Sequence, residues 1–356
     1  MAAELTTLCY LIRDGKYLML HRTVKHNDVN KDKWIGVGGH FEADESPEEC
    51  VIREVREETG YTLLDWKYRG VVTFISGTGI TEYMSLFTSD RFTGTPADCD
   101  EGQLEWIGMD RIPSLNLWAG DLIFFRLLDE GAPFFSLKLV YNGNGILQEA
   151  VWNGKPMELF DILDPDTGRK TGAVQERGVV HREGYAHATV HMWVTRRQNA
   201  PATGIPGETP AGKGCGTDVL LQLRALDKDS HPDCFDTSSA GHIQAGDTAD
   251  DSAVREIREE LGLCCTAADF RPVGIHVNRC DDSFYGRPFH DCEWSHVYVF
   301  DRPFTAGDLA LQQSEIQSVR WMDLEECLRS VRNGSLRSCI SADELEMVKQ
   351  FLRRKD

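Results

Sequence analysis

Two apolar runs open the chain, Thr6 to Ile12 and Tyr17 to Arg22, and the Asp14-Gly15 pair between them predicts two strands joined by a tight turn. Further on, the apolar period changes from strand to helix. Ser46-Pro47-Glu48-Glu49 reads as a helix start, with Ser as N-cap, Pro at the first helical position and Glu three residues after the cap, and Gly60 reads as the stop. At ~100° per residue, Val51 and Val55 share a face that can pack on a sheet. Glu54, Glu57 and Glu58 fall on another face, within an arc of roughly 100°.

The same pattern returns later in the chain. Gly39 to Tyr61 reads GHFEADESPEECVIREVREETGY, and Gly241 to Leu263 reads GHIQAGDTADDSAVREIREELGL. Arg53 and Arg255 stand 202 positions apart, and so do Arg22 and Arg224, each of which closes an apolar strand-like run. The repeat is therefore longer than the motif and predicts two homologous folds. A boundary near Asn153-Gly154-Lys155-Pro156 gives domains 1–155 and 156–356. In the second, strands are expected at Leu159 to Leu163, Ala173 to Arg177, His187 to Arg196 and Asp218 to Arg224, with short helices around Leu324 to Leu328 and Ala342 to Leu352. The stretch Arg197 to Thr217, rich in Gly, Pro, Ala and Thr, is expected to be a mobile loop.

Composition narrows the partners. A length of 356 residues suits two domains. No apolar run approaches the ~20 residues of a membrane span, and Met1 to Tyr10 lacks the basic start and apolar stretch of a signal peptide. The 11 cysteines include no Cys-x-x-Cys pair, which predicts reduced thiols and a cytoplasmic protein. The formal charge of -19 repels polyanions, so a DNA or RNA strand is not an expected partner. A small phosphate compound would need local cations.

Carboxylates crowded on one helix face repel by roughly 0.2 to 0.5 kcal/mol per i, i+4 pair. A hard divalent ion would relieve that repulsion, and an all-oxygen ligand set selects Mg2+, or Mn2+, over zinc. For an isolated string of this kind a solvated acidic face is the better reading. Two copies behind Gly-rich turns, with Glu256, Glu259 and Glu260 opposite Ala253 and Ile257 in the second, favour metal.

The repeated segment resembles the Nudix box: a glycine, five residues, Glu, seven residues, then Arg-Glu-aliphatic-x-Glu-Glu-x-Gly-apolar. Gly39, Glu45, Arg53, Glu54, Val55, Glu57, Glu58 and Gly60 fit it, and the second copy departs only at Asp247. The resemblance implies an α/β fold with a mixed sheet between helices in each half. It implies metal on Glu54, Glu57 and Glu58 and the Gly38 carbonyl, and again on Glu256, Glu259, Glu260 and the Ala240 carbonyl. Glu57 and Glu259 would be the central catalytic carboxylates, and the products a nucleoside monophosphate and pyrophosphate or the halves of another diphosphate.

From Thr6 to about Phe125 the chain is similar to MutT-type 8-oxo-dGTP diphosphatases. That likeness puts Arg22 on the substrate phosphates, with Arg224 as its counterpart, and Glu101 on metal or water. Trp118 and Asp121 match a stacking indole and a base-reading carboxylate. Each has a plainer reading: a solvated strand end for Arg22, an idle loop acid for Glu101, a core side chain for Trp118. Gly120 and Ile35 depart from that group, which has an Asp and an Asn there. A general housecleaning diphosphatase is the alternative for this half.

From Met157 to Trp321 the second half resembles hydrolases related to isopentenyl diphosphate isomerase. The likeness matches His181, His187, His242 and Glu315 to a histidine-rich metal site, but puts Ala240 where the isomerase needs Cys and Gln313 where it needs a second Glu. His187 and His191 share a strand face and could equally bind nothing. Hydrolysis is the expected chemistry. A ligand-sensing or scaffold role for this half is the alternative.

Overall fold

The computed structural model describes residues 3–24, 29–97, 99–210, 216–228 and 230–354. The chain divides into two compact units, Met1–Leu159 with Gly172–Val179, and Phe160–Thr171 with Val180–Asp356. Its helices are α1 Pro47–Thr59, α2 Ala119–Asp129, α3 Arg177–Glu183, α4 Ala249–Leu261, α5 Leu324–Arg332 and α6 Ala342–Arg353. No helix of the described residues is long and apolar enough to cross a membrane.

In the first unit the strands Glu4–Arg13 and Lys16–Arg22 pair antiparallel across Asp14 and Gly15, whose φ values of 51° and 70° suit the Asp-Gly sequence. They belong to a nine-stranded mixed sheet. Glu4–Arg13 also runs parallel to Thr81–Ser89, and Lys16–Arg22 takes Gly102–Gly108 on its free side. Side chains alternate along Glu4–Arg13. Cys9 and Leu11 face α1, packing with Val51 and Val55, while Tyr10 faces α2, with its ring 4.7 Å from that of Phe125.

The second unit repeats the plan in a seven-stranded sheet, where His187–Arg197 runs parallel to Arg287–Phe300 and antiparallel to Thr217–Arg224. Val190, Met192 and Val194 pack towards Ala253 and Ile257 of α4, and Trp193 packs towards Leu328, Leu345 and Val348 of α5 and α6. Each sheet is thus a layer between helices, because its central strand carries apolar side chains on both faces.

The described part of the Gly- and Pro-rich connection is anchored, against the expectation of a mobile loop. Ile205 is buried in the core, Trp321 N donates to Pro206 O at 2.8 Å, and Arg196 pairs with Glu208 at 2.9 Å. Residues 211–215, including Cys215, lie outside the described residues.

Candidate functional site

Local chemistry sets the first carboxylate cluster. Ser46 Oγ accepts from Glu49 N at 3.2 Å while Glu49 Oε2 accepts from Ser46 N at 2.9 Å, which fixes the start of α1. Gly60 ends it in the left-handed conformation at φ 74°. Between these ends, Arg53 organises the acids. Its Nε and Nη2 clamp both oxygens of Glu45 at 2.7 and 2.9 Å, Nη2 also reaches His40 O at 3.0 Å, and Nη1 bonds Glu54 at 2.6 Å. Hydrogen bonds from Arg53 first, and from Glu42 N next, hold the Glu45 carboxyl down at about 2.

The Gly-rich approach to the helix lies against Glu4–Arg13, with Thr7 N donating to Gly39 O at 2.9 Å and Cys9 N to Val37 O at 2.6 Å. Gly38 between them points its N–H the other way, to Glu58 Oε2 at 3.0 Å. In extended backbone the carbonyl of a residue follows its N–H, so the Gly38 carbonyl turns to the carboxylate side as well. Side chains do not fit here. A Cβ on Gly38 would lie 2.0 Å from Thr7 O, and one on Gly39 would lie 2.5 Å from Glu54 Oε1.

The second unit repeats this constellation 202 positions on. Arg255 bonds Asp247 at 2.7 Å, His242 O at 3.0 Å and Glu256 at 3.0 Å, and Ala240 N donates to Glu260 Oε2 at 3.2 Å. A Cβ on Gly241 would meet Glu256 Oε1 at 2.5 Å. Asp247, one carbon shorter than Glu45, bonds Arg255 through a single nitrogen, and that is the cost of the departure. Burial pushes the Glu260 carboxyl up to about 8, against a hydrogen bond from Ser239 and with help from Glu256. Glu57 and Glu259 sit on the open side of their helices.

The NUDIX domain model matches residues 4–128 and 199–340, each span containing one of these clusters. The chain belongs to the NUDIX family. It is 35% identical over 175 residues to Nudix hydrolase 3 of Arabidopsis thaliana, a match covering 48% of this chain but 20% of that protein. It is 30% identical over 149 residues to the oxidized purine nucleoside triphosphate hydrolase of Danio rerio, covering 41% of this chain and 92% of the relative. Among solved structures it is similar to the MutT protein of Bacillus halodurans, at 25% identity and a TM-score of 0.38 over 43% of this chain and 99% of that one.

Around the two Nudix helices the remaining candidate residues fall unequally. Arg22 and Glu101 meet in an ion pair beside the first cluster. Arg22 faces Gly102 across the sheet and Arg224 faces Ile316, so Glu315 occupies the place of Glu101. The cations then differ. Arg224 is committed to Asp236 at 2.9 Å, Ser230 O at 3.0 Å and His231 O at 3.2 Å, and it braces the turn that follows its strand. Glu315 pairs instead with Lys228, whose charge also lowers Glu260.

The histidine cluster forms with different acids from those expected. Donor atoms of His181, His187 and His242 lie within 4.8 Å of one another, and those of His187, Asp291 and Glu293 do so too. Phe289 stacks on His181 and Phe160 on His242 at centroid distances of 4.5 and 4.6 Å, walling the cluster with apolar rings. Glu315 is with Lys228, so its assignment to the histidines is corrected. The parallel register pairs His187 with Glu293, and Asp291 falls on the same strand face as Glu293. Burial and then Glu293 push the Asp291 carboxyl up to about 8, and its Oδ1 has no hydrogen-bond partner among the described residues. His191 bonds Glu344 of α6 at 2.8 Å through Nδ1, while its Nε2 lies 4.0 Å from Glu293 at the edge of the cluster. The Asp291-Cys292-Glu293 alternation was a signal for these ligands that spacing alone left unread.

In the first unit Trp118 and Asp121 open α2, and Lys33, whose carbonyl accepts from Arg22 N at 2.9 Å, lies over the Trp118 ring. Trp118 is half-buried, with its Nε1 donating to Asn30 Oδ1 at 2.8 Å and its ring edge-on to Phe74 and Tyr141 at 5.1 and 4.8 Å. Gly120 explains one departure from the MutT-type pattern, since a Cβ there would lie 2.4 Å from Leu139 and 2.6 Å from the Tyr141 hydroxyl. Burial pushes the Asp121 carboxyl up to about 7, although Lys33 opposes the shift.

That shift has a thermodynamic sign. Folded Asp121 holds a proton at pH values where the unfolded carboxyl, at about 3.9, has released it, so stability is lost as pH rises from about 4 to about 7. Asp121→Asn is expected to melt with wild type near pH 4.5 and several degrees above it at pH 8, the free-energy gap being at most about 4 kcal/mol. Melting curves across that range with a constant gap would contradict the assignment.

Proposed function

We propose that the first unit is a magnesium-dependent diphosphatase of nucleoside triphosphates, oxidised purine nucleotides included, releasing the monophosphate and pyrophosphate, with Mn2+ an acceptable substitute. The second unit is read as a hydrolase of another diphosphate compound. The observation that carries both readings is the doubled Arg-held carboxylate cradle, in which Arg53 and Arg255 fix Glu54 and Glu256 against Gly39 and Gly241, where a Cβ would clash with the carboxylate.

The cradle fits a hard cation. All its donors are oxygens, and a buried acid such as Glu260, held protonated to about pH 8, calls for positive charge beside it. Glu54, Glu57, Glu58 and the Gly38 carbonyl would hold the ion in the first unit, and Glu256, Glu259, Glu260 and the Ala240 carbonyl in the second. Bound Mg2+ neutralises phosphate charge and acidifies an attacking water. Arg53 fixes Glu54 so that this geometry costs no reorganisation, Glu101 orients water, and Arg22 exchanges its carboxylate partner for a phosphate oxygen. In the second unit Lys228 is better placed than Arg224 to meet phosphate, and the mixed nitrogen and oxygen donors around His187 suit a borderline ion better than magnesium.

The nucleotide reading rests on Trp118 and Asp121 and is supported by the similarity to the zebrafish hydrolase. Base stacking on an aromatic ring contributes roughly 1 to 3 kcal/mol. Trp118→Ala is therefore expected to raise KM for 8-oxo-dGTP about 5- to 100-fold, with KM for inorganic tripolyphosphate changed less than twofold. Equal effects on both substrates would return Trp118 to a core role.

A further inference from the structure

Ile35 leaves the base pocket without the amide that MutT-type enzymes use, and the strand geometry supplies another polar group on the same face. Lys33 and Ile35 are two residues apart, so their side chains project to one side of the extended chain. The Lys33 ammonium lies 4.5 Å from the centroid of the Trp118 ring. It donates to Leu117 O at 2.9 Å and to Asn116 Oδ1 at 3.3 Å, and an ammonium carries three N–H groups, so one donor remains for a ligand.

Asp121 supplies the matching acceptor. It is 8% exposed, one oxygen accepts the Trp118 N–H at 3.3 Å, and the other accepts no hydrogen bond among the described residues. Lys33 and Asp121 each lie in the other's electrostatic field. Above about pH 7, where Asp121 is ionised, the indole is therefore flanked by one cationic donor and one anionic acceptor.

We propose that Lys33 determines base specificity at the first site: with Asp121 across the Trp118 indole, it selects bases that present a lactam edge. A lactam places a carbonyl oxygen beside a ring N–H, so the oxygen accepts from the ammonium while the N–H donates to the carboxylate. Guanine has one such edge and its 8-oxo form has two. Adenine presents the reverse order, an amine beside a bare ring nitrogen, which sets donor against donor and lone pair against carboxylate. The inference rests on the nucleotide reading of this site.

The test uses the full chain with Mg2+ and four substrates: 8-oxo-dGTP, dGTP, dATP and inorganic tripolyphosphate as the base-free control. Lys33→Met is expected to lower kcat/KM for the two guanine nucleotides by at least ~10-fold, through KM, and to leave dATP and tripolyphosphate within ~3-fold of wild type. Lys33→Arg, which keeps charge and donors, is expected to recover most of the loss, and a melt shared by both variants separates this from misfolding. A loss of equal size on all four substrates, or no loss on the guanine nucleotides, overturns the role of Lys33 and leaves the nucleotide reading standing. Wild-type turnover of tripolyphosphate without turnover of any nucleotide overturns both.

Discussion

Glu58→Gln is expected to lower turnover of the first site by at least ~100-fold without loss of stability, and Glu57→Gln to do the same. Glutamine keeps an oxygen that can accept the Gly38 N–H, now 3.0 Å from Glu58 Oε2, so the contact between helix and loop survives. What disappears is one negative charge from an arc of three, together with some of their mutual repulsion. The melting temperature should hold or rise while activity collapses, and removal of divalent ions with EDTA should mimic the substitution. Activity within twofold of wild type in either variant would end the metal reading of α1.

The second large effect is expected in the other unit. In a full-length chain carrying Glu58→Gln to silence the first site, some member of a panel of isoprenoid, sugar and coenzyme diphosphates should still be hydrolysed. Adding Glu260→Gln should reduce that activity at least ~100-fold. The same preparation should not convert isopentenyl diphosphate to its isomer, because moving the double bond needs a proton added to one carbon and removed from another, by two groups flanking the alkene. Asp291 and Glu293 beside the histidines restore the acid that Gln313 lacks, so the argument against isomerisation now rests on Ala240 alone. Ala240 has no proton to exchange, and its backbone N–H is directed to Glu260. Incubation in deuterated water settles the matter: catalytic formation of deuterium-labelled dimethylallyl diphosphate, with host isomerase absent, would show that another group replaces the thiol.

The sequence by itself determined what local forces control. Ser46, Pro47, Glu49 and Gly60 bound α1 because caps act within one turn, and the arc of Glu54, Glu57 and Glu58 follows from helix period alone. The Arg53 clamp is equally local, its partners Glu45 and Glu54 lying within eight residues. The 202-residue repeat carried these features to the second unit, and even the departure at Asp247 kept its bond to Arg255. The tertiary structure decided whatever depends on strand register or on where a long connection returns. Asp291 and Glu293 reach His187 only because Arg287–Phe300 pairs in parallel with His187–Arg197, a contact across about a hundred residues that no spacing within either strand encodes. Arg224 holds the sequence position of Arg22, yet the turn after its strand brings Asp236 to it and hands Glu315 to Lys228. A charged side chain takes the nearest partner that burial leaves it, and burial belongs to the folded chain rather than to the position in the repeat.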